Sequence, residues 1–406
     1  MPALTNIGCL ATCAPGAGQA DAGLIAQAAL AWDDGRIVYA GPERQLPPRF
    51  RDDVRDAGAR LVVPGLVDCH THLAFGGWRA EEFEQRLLGR SYVEIAEAGG
   101  GIASTVRATR ATGATELAAR AARVLEGMLG LGVTTVECKS GYGLDREHEV
   151  RLLQVYASLA RSSAQRLVPT LLAAHVVPPE FRDRRDAYVR VIIDEIIPAV
   201  AAEGLARCCD AFVEASAFSV QEARRILLAG RAAGLAPRLH ADQLSASGGA
   251  ELAAEVGALS ADHLEYVTPT GMEALRRAAV VAVSLPIATL YLGQRPMPAR
   301  ALIEKGVAVA VATDFNPGSA PSWHLPLALT LACTLQRMTP AEALKGATLY
   351  AARALGLAAE VGSLEPGKAA DFAMVDAADP REWLYHFRPN ACVETVVGGA
   401  TRWRAA

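Results

Sequence analysis

The sequence predicts an α/β fold, a (β/α)8 barrel flanked by a small β-sandwich domain built from both chain ends. Two observations predict it. From about residue 65 to about residue 359, short β-rich runs alternate with long helical stretches, whereas both chain ends are rich in short strands and turns. Repeated strand–helix units favour a parallel sheet, and eight of them in one stretch favour a TIM-type barrel.

The first 64 residues are predicted to contribute strands to the flanking domain. The segment WDDGRIVYAGP has an Asp-Gly turn followed by the alternating strand RIVYAG. Such alternation is typical of a strand with one buried face. We therefore assign residues 1–64, together with residues 360–406, to one composite β-sandwich domain.

Residues 65–359 are predicted to form the barrel. Its candidate strands are continuous apolar runs, as expected for parallel strands that are covered on both faces. In chain order they are PGLVDCHTH, VTTVECKSGY, VPTLLAAH, DAFVEA, APRLHA, LSADHLEY, VVAVSLP and VAVAVATDFN. Ser219 and Glu222 have capping-box spacing at the start of one intervening helix. Thr339, Pro340 and Glu342 begin another helical stretch, TPAEALKGATLYAARALG.

After about residue 360 the pattern returns to strands and turns. GSLEPGKAADFAMVD and VETVVGGATRW are predicted strands, and Gly398 with Gly399 predicts a hairpin within the second. Because both ends of the chain are rich in strands, we expect them to pair in one sheet domain beside the barrel.

Composition excludes several classes of protein. The 40 basic residues nearly balance the 44 acidic ones, and a net charge of −4 creates no field that would attract nucleic acid or anionic lipid. No run of 18 uncharged apolar residues predicts a membrane span. The eight cysteines are scattered without a C-x-x-C pair, which indicates reduced thiols. With no signal-type start either, we expect a cytoplasmic protein.

The chemically distinctive residues fall where the predicted strands end. Five of the eight histidines lie at such ends, and Asp314 and Tyr142 follow the eighth and second strands. The five are His70, His72, His175, His240 and His263. The carboxyl ends of all barrel strands face the same opening, where the chemistry of such barrels takes place.

A metal site is the strongest prediction from this clustering. His70 and His72 are two residues apart, so a strand would direct both imidazoles to one face. Together with His240 and Asp314 they make a three-histidine, one-aspartate set that suits zinc and leaves a position open for water or substrate. Taken alone, one H-x-H motif is more often a packing or surface feature.

Several motifs together resemble the amidohydrolase superfamily. They are DCHTHLAFGGWR (residues 68–79), HADQ (240–243), ADHLEY (261–266), ATDFNPGSAP (312–321) and GSLEPGKAADF (362–372). Within that superfamily the chain is most similar to the imidazolonepropionases. Arg79 in its GGWR context, ECKSGYGL (137–144) and DFNPGSAPS (314–322) carry this closer resemblance, which runs nearly end to end.

The resemblance implies an activity and a cofactor. It implies hydrolysis of 4-imidazolone-5-propanoate to N-formimino-L-glutamate in histidine degradation, by water activated by one divalent zinc or iron ion. It implies His70, His72, His240 and Asp314 as the metal ligands. It implies substrate contacts by Arg79, Tyr142, His175, Gln243, Asn316, Gly318 and Ser319. One departure concerns Gln243, since some relatives have a glutamate there that is a candidate base, and an amide cannot take up a proton at neutral pH.

Other residues are therefore expected to transfer protons in the reaction. Asp314 is the candidate proton carrier and His263 the candidate for stabilising the oxyanion. Arg79 is suited to gripping the propionate with two parallel hydrogen bonds. Glu214 closes the fourth predicted strand, where relatives with two metals keep a bridging lysine or carboxylate, and Lys139 follows the second strand. Because the resemblance is to an enzyme with one metal, we expect one metal per chain.

Two alternatives remain at this stage. The first is another amidohydrolase, such as a deaminase of guanine or cytosine type, which would share the metal set but need no arginine for a carboxylate. The second is a catalytically silent protein of the same fold; all four ligands are present, which disfavours it. We further expect an anionic small-molecule substrate, no nucleic-acid or membrane partner, and a homodimer.

Overall fold

A computed structural model of the protein describes residues 2–16, 18–90, 94–95 and 98–405. Its strands are β1 Ala3–Ala11, β2 Leu24–Asp33, β3 Arg36–Pro42, β4 Val54–Asp56, β5 Leu61–Pro64, β6 Leu66–Asp68, β7 Val133–Lys139, β8 Arg166–Ala174, β9 Cys208–Val213, β10 Ala236–Ala241, β11 Ser260–His263, β12 Val281–Ser284, β13 Val309–Val311, β14 Phe372–Val375, β15 Cys392–Val397 and β16 Ala400–Arg404.

The α-helices in the described part of the chain are α1 Ala80–Leu87, α2 Gly101–Ala111, α3 Ala114–Leu129, α4 Arg146–Ala160, α5 Arg185–Val191, α6 Ile197–Ala202, α7 Val220–Ala232, α8 Gly249–Glu255, α9 Pro269–Ala278, α10 Pro286–Leu292, α11 Ala299–Glu304, α12 Leu325–Gln336, α13 Pro340–Gly346, α14 Leu349–Ala354 and α15 Pro380–Tyr385. A π-helical turn, Ile192–Ile196, joins α5 to α6. No helix among these residues is long and apolar enough to cross a membrane.

The predicted barrel is confirmed. Strands β6 to β13 form one parallel sheet in which each strand lies beside the next in the chain. The first and last strands of this sheet, β6 and β13, are joined just past their C-terminal ends, where the segments that follow them are hydrogen-bonded. There the Asp314 N–H donates to the His70 carbonyl at 3.0 Å, and the His72 N–H donates to the Phe315 carbonyl at 2.8 Å.

Burial explains why these segments form strands and helices. Every residue of β7 is buried, because the barrel interior covers one face and helices cover the other. Helix α3 turns Leu117, Ala121, Leu125 and Met128 into the core, a spacing of three to four residues that places them along one side. The capping box predicted from Ser219 and Glu222 begins α7.

The flanking sheet combines strands from both chain ends, as predicted. Its order is β16-β15-β14-β5-β1-β2-β3, and β4 also pairs with β1. The sheet curls so that Trp32 of β2 contacts Phe372 of β14, with ring centroids 5.3 Å apart. Its enclosed core is apolar and includes Leu4, Ile7 and Leu10. The exact division into residues 1–64 plus 360–406 and residues 65–359 remains a proposal.

One predicted helix is divided in two. The stretch that begins with the capping box of Thr339 and Glu342 ends as α13 at Gly346, and α14 restarts at Leu349. Gly346 lies close to β13, where a Cβ would be 3.1 Å from the Val309 carbonyl oxygen. Helix periodicity did not predict this break, since it depends on the approach of a distant strand.

Candidate metal centre and active site

The carboxyl ends of the barrel strands bring together the chemically distinctive residues. His70 and His72 follow β6, His240 lies within β10, His263 ends β11, and Asp314 follows β13. All five side chains are buried. His263 and Asp314 adopt left-handed backbone conformations, with φ of 80° and 57°, which are uncommon outside glycine and concentrate at functional sites.

The imidazole and carboxylate atoms of these residues lie within coordination range of one another. His70, His72 and His240 form one group with all ligand atoms within 4.8 Å, and His70, His263 and Asp314 form a second. Asp314 Oδ1 lies 3.4 Å from His70 Nε2 and 3.5 Å from His72 Nε2, which links the two groups. A cation in their midst would therefore be within reach of nitrogen and oxygen donors together.

The unused nitrogens fit a metal ion. Nε2 of His70 and Nε2 of His240 are buried and have no hydrogen-bond partner among the described residues. A buried polar atom without a partner is costly, and a metal ion would use both lone pairs. Imidazole nitrogens with one carboxylate match the donor set of zinc, and imidazole also suits iron.

Asp262 determines which nitrogen of His70 is available. Its Oδ2 lies 2.6 Å from His70 Nδ1 and also accepts from Arg238 Nη2 at 2.8 Å. Burial raises the pKa of Asp262, but the charges of Arg238 and Lys139 outweigh burial and the pKa is lowered. As an ionised acceptor, Asp262 holds the proton of His70 on Nδ1 and leaves Nε2 to coordinate.

Asp210 has the same relation to His240. Its Oδ1 lies 3.1 Å from His240 Nδ1, and its Oδ2 accepts from Lys139 Nζ at 2.8 Å. Burial raises the pKa of Asp210, whereas His240 and Lys139 lower it, and the net shift is downward. Two ligands thus have the arrangement in which a carboxylate orients a metal-binding histidine.

Lys139 and Arg238 compensate the carboxylates beneath the site. Lys139 contacts Glu137 Oε1 at 2.9 Å in addition to Asp210, and Arg238 also donates to the Cys69 carbonyl at 2.7 Å. The acidic and basic side chains of this network are completely buried. Lys139 is therefore engaged in ion pairs with the carboxylates below the ligands.

His263 belongs to the second group of candidate ligand atoms and also faces a carboxylate. Its Nδ1 is 3.7 Å from Glu265 Oε1, an ion-pair distance. Burial lowers the pKa of His263, but Glu265 and Asp314 outweigh burial and the pKa is raised. For Asp314 burial dominates and raises the pKa to about 6.

Arg79 is a buried cation that packs on the loop after β13. A Cβ at Gly318 would lie 0.9 Å from Arg79 Nη2, so only glycine leaves room for the guanidinium there. Arg79 is 9% exposed, and within the described part of the chain its Nε and Nη1 have no hydrogen-bond partner. Its Nε lies 3.8 Å from the Glu82 carboxylate. The arrangement leaves donors available for an anionic ligand.

Tyr142 and His175 line the site beside His72. The ring of His175 stacks on that of His72 with centroids 5.2 Å apart, and the Tyr142 centroid is 5.4 Å from that of His175. His175 Nδ1 donates to the Gly141 carbonyl at 2.9 Å, which leaves the lone pair on Nε2. Burial lowers the pKa of His175 to about 3, so the ring is neutral.

The remaining predicted substrate residues have different environments. Asn316 uses its amide within its own loop, where its Oδ1 accepts from the backbone N–H groups of Gly318 and Ser319 at 2.8 Å. Gln243 is partly exposed on the loop after β10. Glu214 accepts the N–H groups of Leu244 and Ser245 at 2.7 and 2.9 Å, so it supports the Gln243 loop.

Sequence reasoning missed the orienting residues Asp210, Arg238 and Asp262. Each is a charged and completely buried residue within a barrel strand. Arg238 precedes His240 by two residues and so shares its face. Burying a charge without a partner costs free energy, so a charged residue within a predicted buried strand indicates a buried ion pair. That pattern could have identified all three residues from the sequence.

Comparisons with known proteins show the family of this chain. The amidohydrolase family model matches residues 61–401. Imidazolonepropionase from Myxococcus xanthus is 52% identical over 357 residues, which cover 87% of this chain and 85% of that protein. Imidazolonepropionase from Geobacillus thermodenitrificans is 47% identical over 370 residues, covering 90% of this chain and 87% of that protein.

Solved structures of similar fold include two deaminases. A 5-methylcytosine deaminase from Klebsiella pneumoniae liganded with 5-fluorocytosine has a TM-score of 0.76 at 15% identity, covering 100% of this chain and 98% of that one. An adenosine deaminase from Xanthomonas campestris with bound zinc has a TM-score of 0.74 at 18% identity, covering 99% and 92%. At these identities the likeness shows the fold alone.

Proposed function

Because the chain belongs to the amidohydrolase family, and within it to the imidazolonepropionase family, we propose that it hydrolyses 4-imidazolone-5-propanoate to N-formimino-L-glutamate in histidine degradation. The chain is a hydrolase that acts on a C–N bond. The proposal concerns the substrate, the metal and the role of each residue.

The buried guanidinium of Arg79 is the main support for the proposed substrate. Its guanidinium is buried against Gly318, and two of its nitrogens lack partners among the described residues. A buried cation without a full partner is costly, and the propionate of the proposed substrate supplies the missing charge. A planar guanidinium can bind both carboxylate oxygens at once, which also orients the ring relative to the histidines.

His70, His72, His240 and Asp314 are the proposed ligands of one zinc or iron ion. When bound, such an ion supplies Lewis-acid activation of water and of the scissile carbonyl. The two residues considered for a second metal are engaged elsewhere, Lys139 in ion pairs and Glu214 with backbone N–H groups. Their engagement supports a single ion, and elemental analysis of the purified enzyme distinguishes zinc from iron.

Asp314 and His263 are the proposed catalytic residues. Asp314 can accept the proton of the attacking water and return it to the ring nitrogen that leaves, since a carboxylate can serve as base and then as acid. His263, with Glu265 at 3.7 Å, is favoured as the imidazolium that stabilises negative charge on the carbonyl oxygen. Gln243 cannot substitute as a base because its amide does not take up a proton.

Tyr142, His175, Gln243, Asn316, Gly318 and Ser319 are the further residues proposed to form the substrate site. His175 can accept a ring N–H at Nε2, because its Nδ1 proton is held by Gly141. Gln243 can offer both a donor and an acceptor to the ring. Gly318 and Asn316 contribute indirectly, Gly318 by leaving room for Arg79 and Asn316 by shaping the loop that carries Ser319.

The deciding experiment uses purified enzyme of known metal content and freshly made 4-imidazolone-5-propanoate. Loss of its ultraviolet absorbance should accompany formation of N-formimino-L-glutamate, identified by mass spectrometry. An Asp314→Ala variant should show no turnover. If the metal-loaded parent enzyme leaves the compound unchanged, the proposed substrate is wrong, and ammonia release from amino-substituted heterocycles becomes the assay of choice.

Arg79→Ala distinguishes this substrate from a neutral base. A charged hydrogen-bonded pair contributes about 1.5–3 kcal/mol, so we expect kcat/KM for the propanoate substrate to fall roughly 10- to 150-fold. Gly318→Ala should produce a related loss by displacing the guanidinium, with metal content unchanged. Steady-state kinetics at fixed metal occupancy tests both variants. An Arg79→Ala variant within threefold of the parent would contradict a carboxylate contact.

Two further aspects of the proposal concern the surroundings of the enzyme. We propose that it acts in the cytoplasm, which is supported by eight cysteines that are all free thiols and mostly buried. We also propose a homodimer, the commonest symmetric assembly. Light scattering at micromolar concentration tests the second proposal.

A further inference from the structure

The loop between β7 and α4, residues 140–145, holds two of the proposed substrate residues in place. Tyr142 lies on this loop, with its ring centroid 5.6 Å from that of His72. The Gly141 carbonyl accepts the Nδ1 proton of His175 and thereby selects its tautomer. The backbone of this loop therefore controls both the ring of Tyr142 and the acceptor nitrogen of His175.

Glu149 holds that backbone from the first turns of α4. Its Oε1 accepts the N–H of Gly143 at 2.8 Å and that of Leu144 at 2.9 Å. Both of its carboxylate oxygens lie 3.1 Å from the N–H of Gly141. Glu149 is completely buried, so no bulk water can take over these three donors.

The loop backbone includes two residues in left-handed conformations. Leu144 has a φ of 53°, and Gly141 a φ of 91°. A Cβ at Gly143 would lie 2.5 Å from the Glu149 nitrogen and 2.9 Å from its Oε1, so glycine is needed for the close approach. A carboxylate offers about four lone-pair sites on two oxygens, more than any neutral side chain provides in that space.

Helix α4 supports the site at a second point on the same face. Tyr156, seven residues after Glu149, donates to the Lys139 carbonyl at 2.8 Å and accepts the Ala74 N–H at 3.0 Å. Residues seven apart lie on one side of a helix. The helix N-terminus is separately capped by Asp145, whose carboxylate accepts the His148 N–H. Glu149 is thus not needed as the cap and is directed at the loop.

We propose that Glu149 is a positioning residue for substrate binding, which acts by fixing the loop that carries Tyr142 and the Gly141 carbonyl. This inference rests on the proposed function for its kinetic consequence. Its structural part, that the Glu149 carboxylate orders residues 141–144, is independent of the substrate. The hydrogen-bond partners described for the Glu149 side chain include backbone N–H groups of the loop and no proposed metal ligand. Substitution of Glu149 should therefore leave metal binding unchanged.

Glu149→Gln is the primary test. It keeps the size of the side chain but places an NH2 group toward the Gly141 N–H, where two donors then oppose each other. We expect the KM for 4-imidazolone-5-propanoate to rise about tenfold and kcat to change less than about threefold, because the lost contacts orient the bound ring. Metal content per chain should equal that of the parent. Glu149→Ala should have the larger effect.

The matched control is Glu342→Gln. Glu342 is also buried, accepts a backbone N–H at a capping box and is paired with Arg300, but it lies at the start of α13. The Glu342→Gln substitution should lower the melting temperature without changing KM. Hydrogen–deuterium exchange supplies the second readout. Exchange in a peptide covering residues 139–148 should accelerate in Glu149→Gln and not in Glu342→Gln.

The outcomes separate the two proposals. A parent enzyme with no turnover would refute the proposed function, and faster exchange at residues 139–148 would still support the structural part of the inference. Turnover by the parent together with an unchanged KM in Glu149→Gln would overturn the inference. So would unchanged exchange in that peptide. If Glu149→Ala does not fold, the glutamine variant alone decides.

Discussion

The barrel mouth and the flanking sheet bury side chains to a similar degree but with opposite chemistry. Beneath the mouth, Glu137, Lys139, Asp210, Arg238 and Asp262 are completely buried and charged. The core of the flanking sheet consists of side chains such as Leu4, Ile7, Leu10, Trp32 and Phe372. Burial of apolar side chains stabilises the fold and does not depend on the orientation of particular atoms. Buried ion pairs often contribute little net stability.

The difference teaches what each region is built to do. The charges under the mouth hold His70 and His240 in one tautomer through Asp262 and Asp210, so they determine where lone pairs point. The apolar core of the flanking sheet holds together strands from both chain ends. Substitutions in the first region should therefore change metal binding and catalysis, and those in the second should change stability alone.

His70→Ala should have the largest effect. His70 belongs to both groups of candidate ligand atoms, so its loss breaks each of them. We expect metal content to fall well below one ion per chain and kcat/KM to fall by roughly 10³-fold or more, since activation of water depends on the ion. Elemental analysis and steady-state kinetics measure the two quantities. Near-stoichiometric metal with activity within tenfold of the parent would exclude His70 as a ligand.

Phe372→Ala should be the largest change confined to the flanking sheet. Phe372 is completely buried and contacts Trp32. Truncation of a buried phenylalanine costs about 3–5 kcal/mol in the free energy of unfolding, measurable by urea denaturation. Activity per folded molecule and metal content should stay at parental values. A tenfold loss of kcat/KM in the folded variant would show that the two regions are coupled.

Asp262→Asn gives a smaller but more specific effect. An asparagine can present its NH2 to His70 Nδ1, which favours the tautomer with the proton on Nε2. We expect metal affinity to fall about 10- to 100-fold, as measured by competition with a chelator. Glu394→Gln is the matched control, because Glu394 is 1% exposed and pairs with Arg55 at 2.7 Å in the flanking sheet. The control should lose stability and keep its metal affinity; equal metal loss in both variants would contradict an orienting role for Asp262.

Local patterns in the sequence were sufficient to predict the fold class. The apolar runs, their helical spacers and the Gly398–Gly399 hairpin are short-range features, and each corresponds to an element of the structure. The clustering of histidines at strand ends likewise follows from chain order once a barrel is predicted. The division of residues 339–356 into two helices was not predictable, because it depends on contact with β13.

The sequence by itself thus determined the barrel, the flanking sheet and the residues that gather at the barrel mouth, because hydrophobic periodicity and strand-end position are local properties. Only the tertiary structure decided that Asp262 faces His70 across 192 residues of chain. It also decided that Arg79 packs on Gly318. These contacts depend on strand register and helix placement, which are set by the packing of the whole barrel.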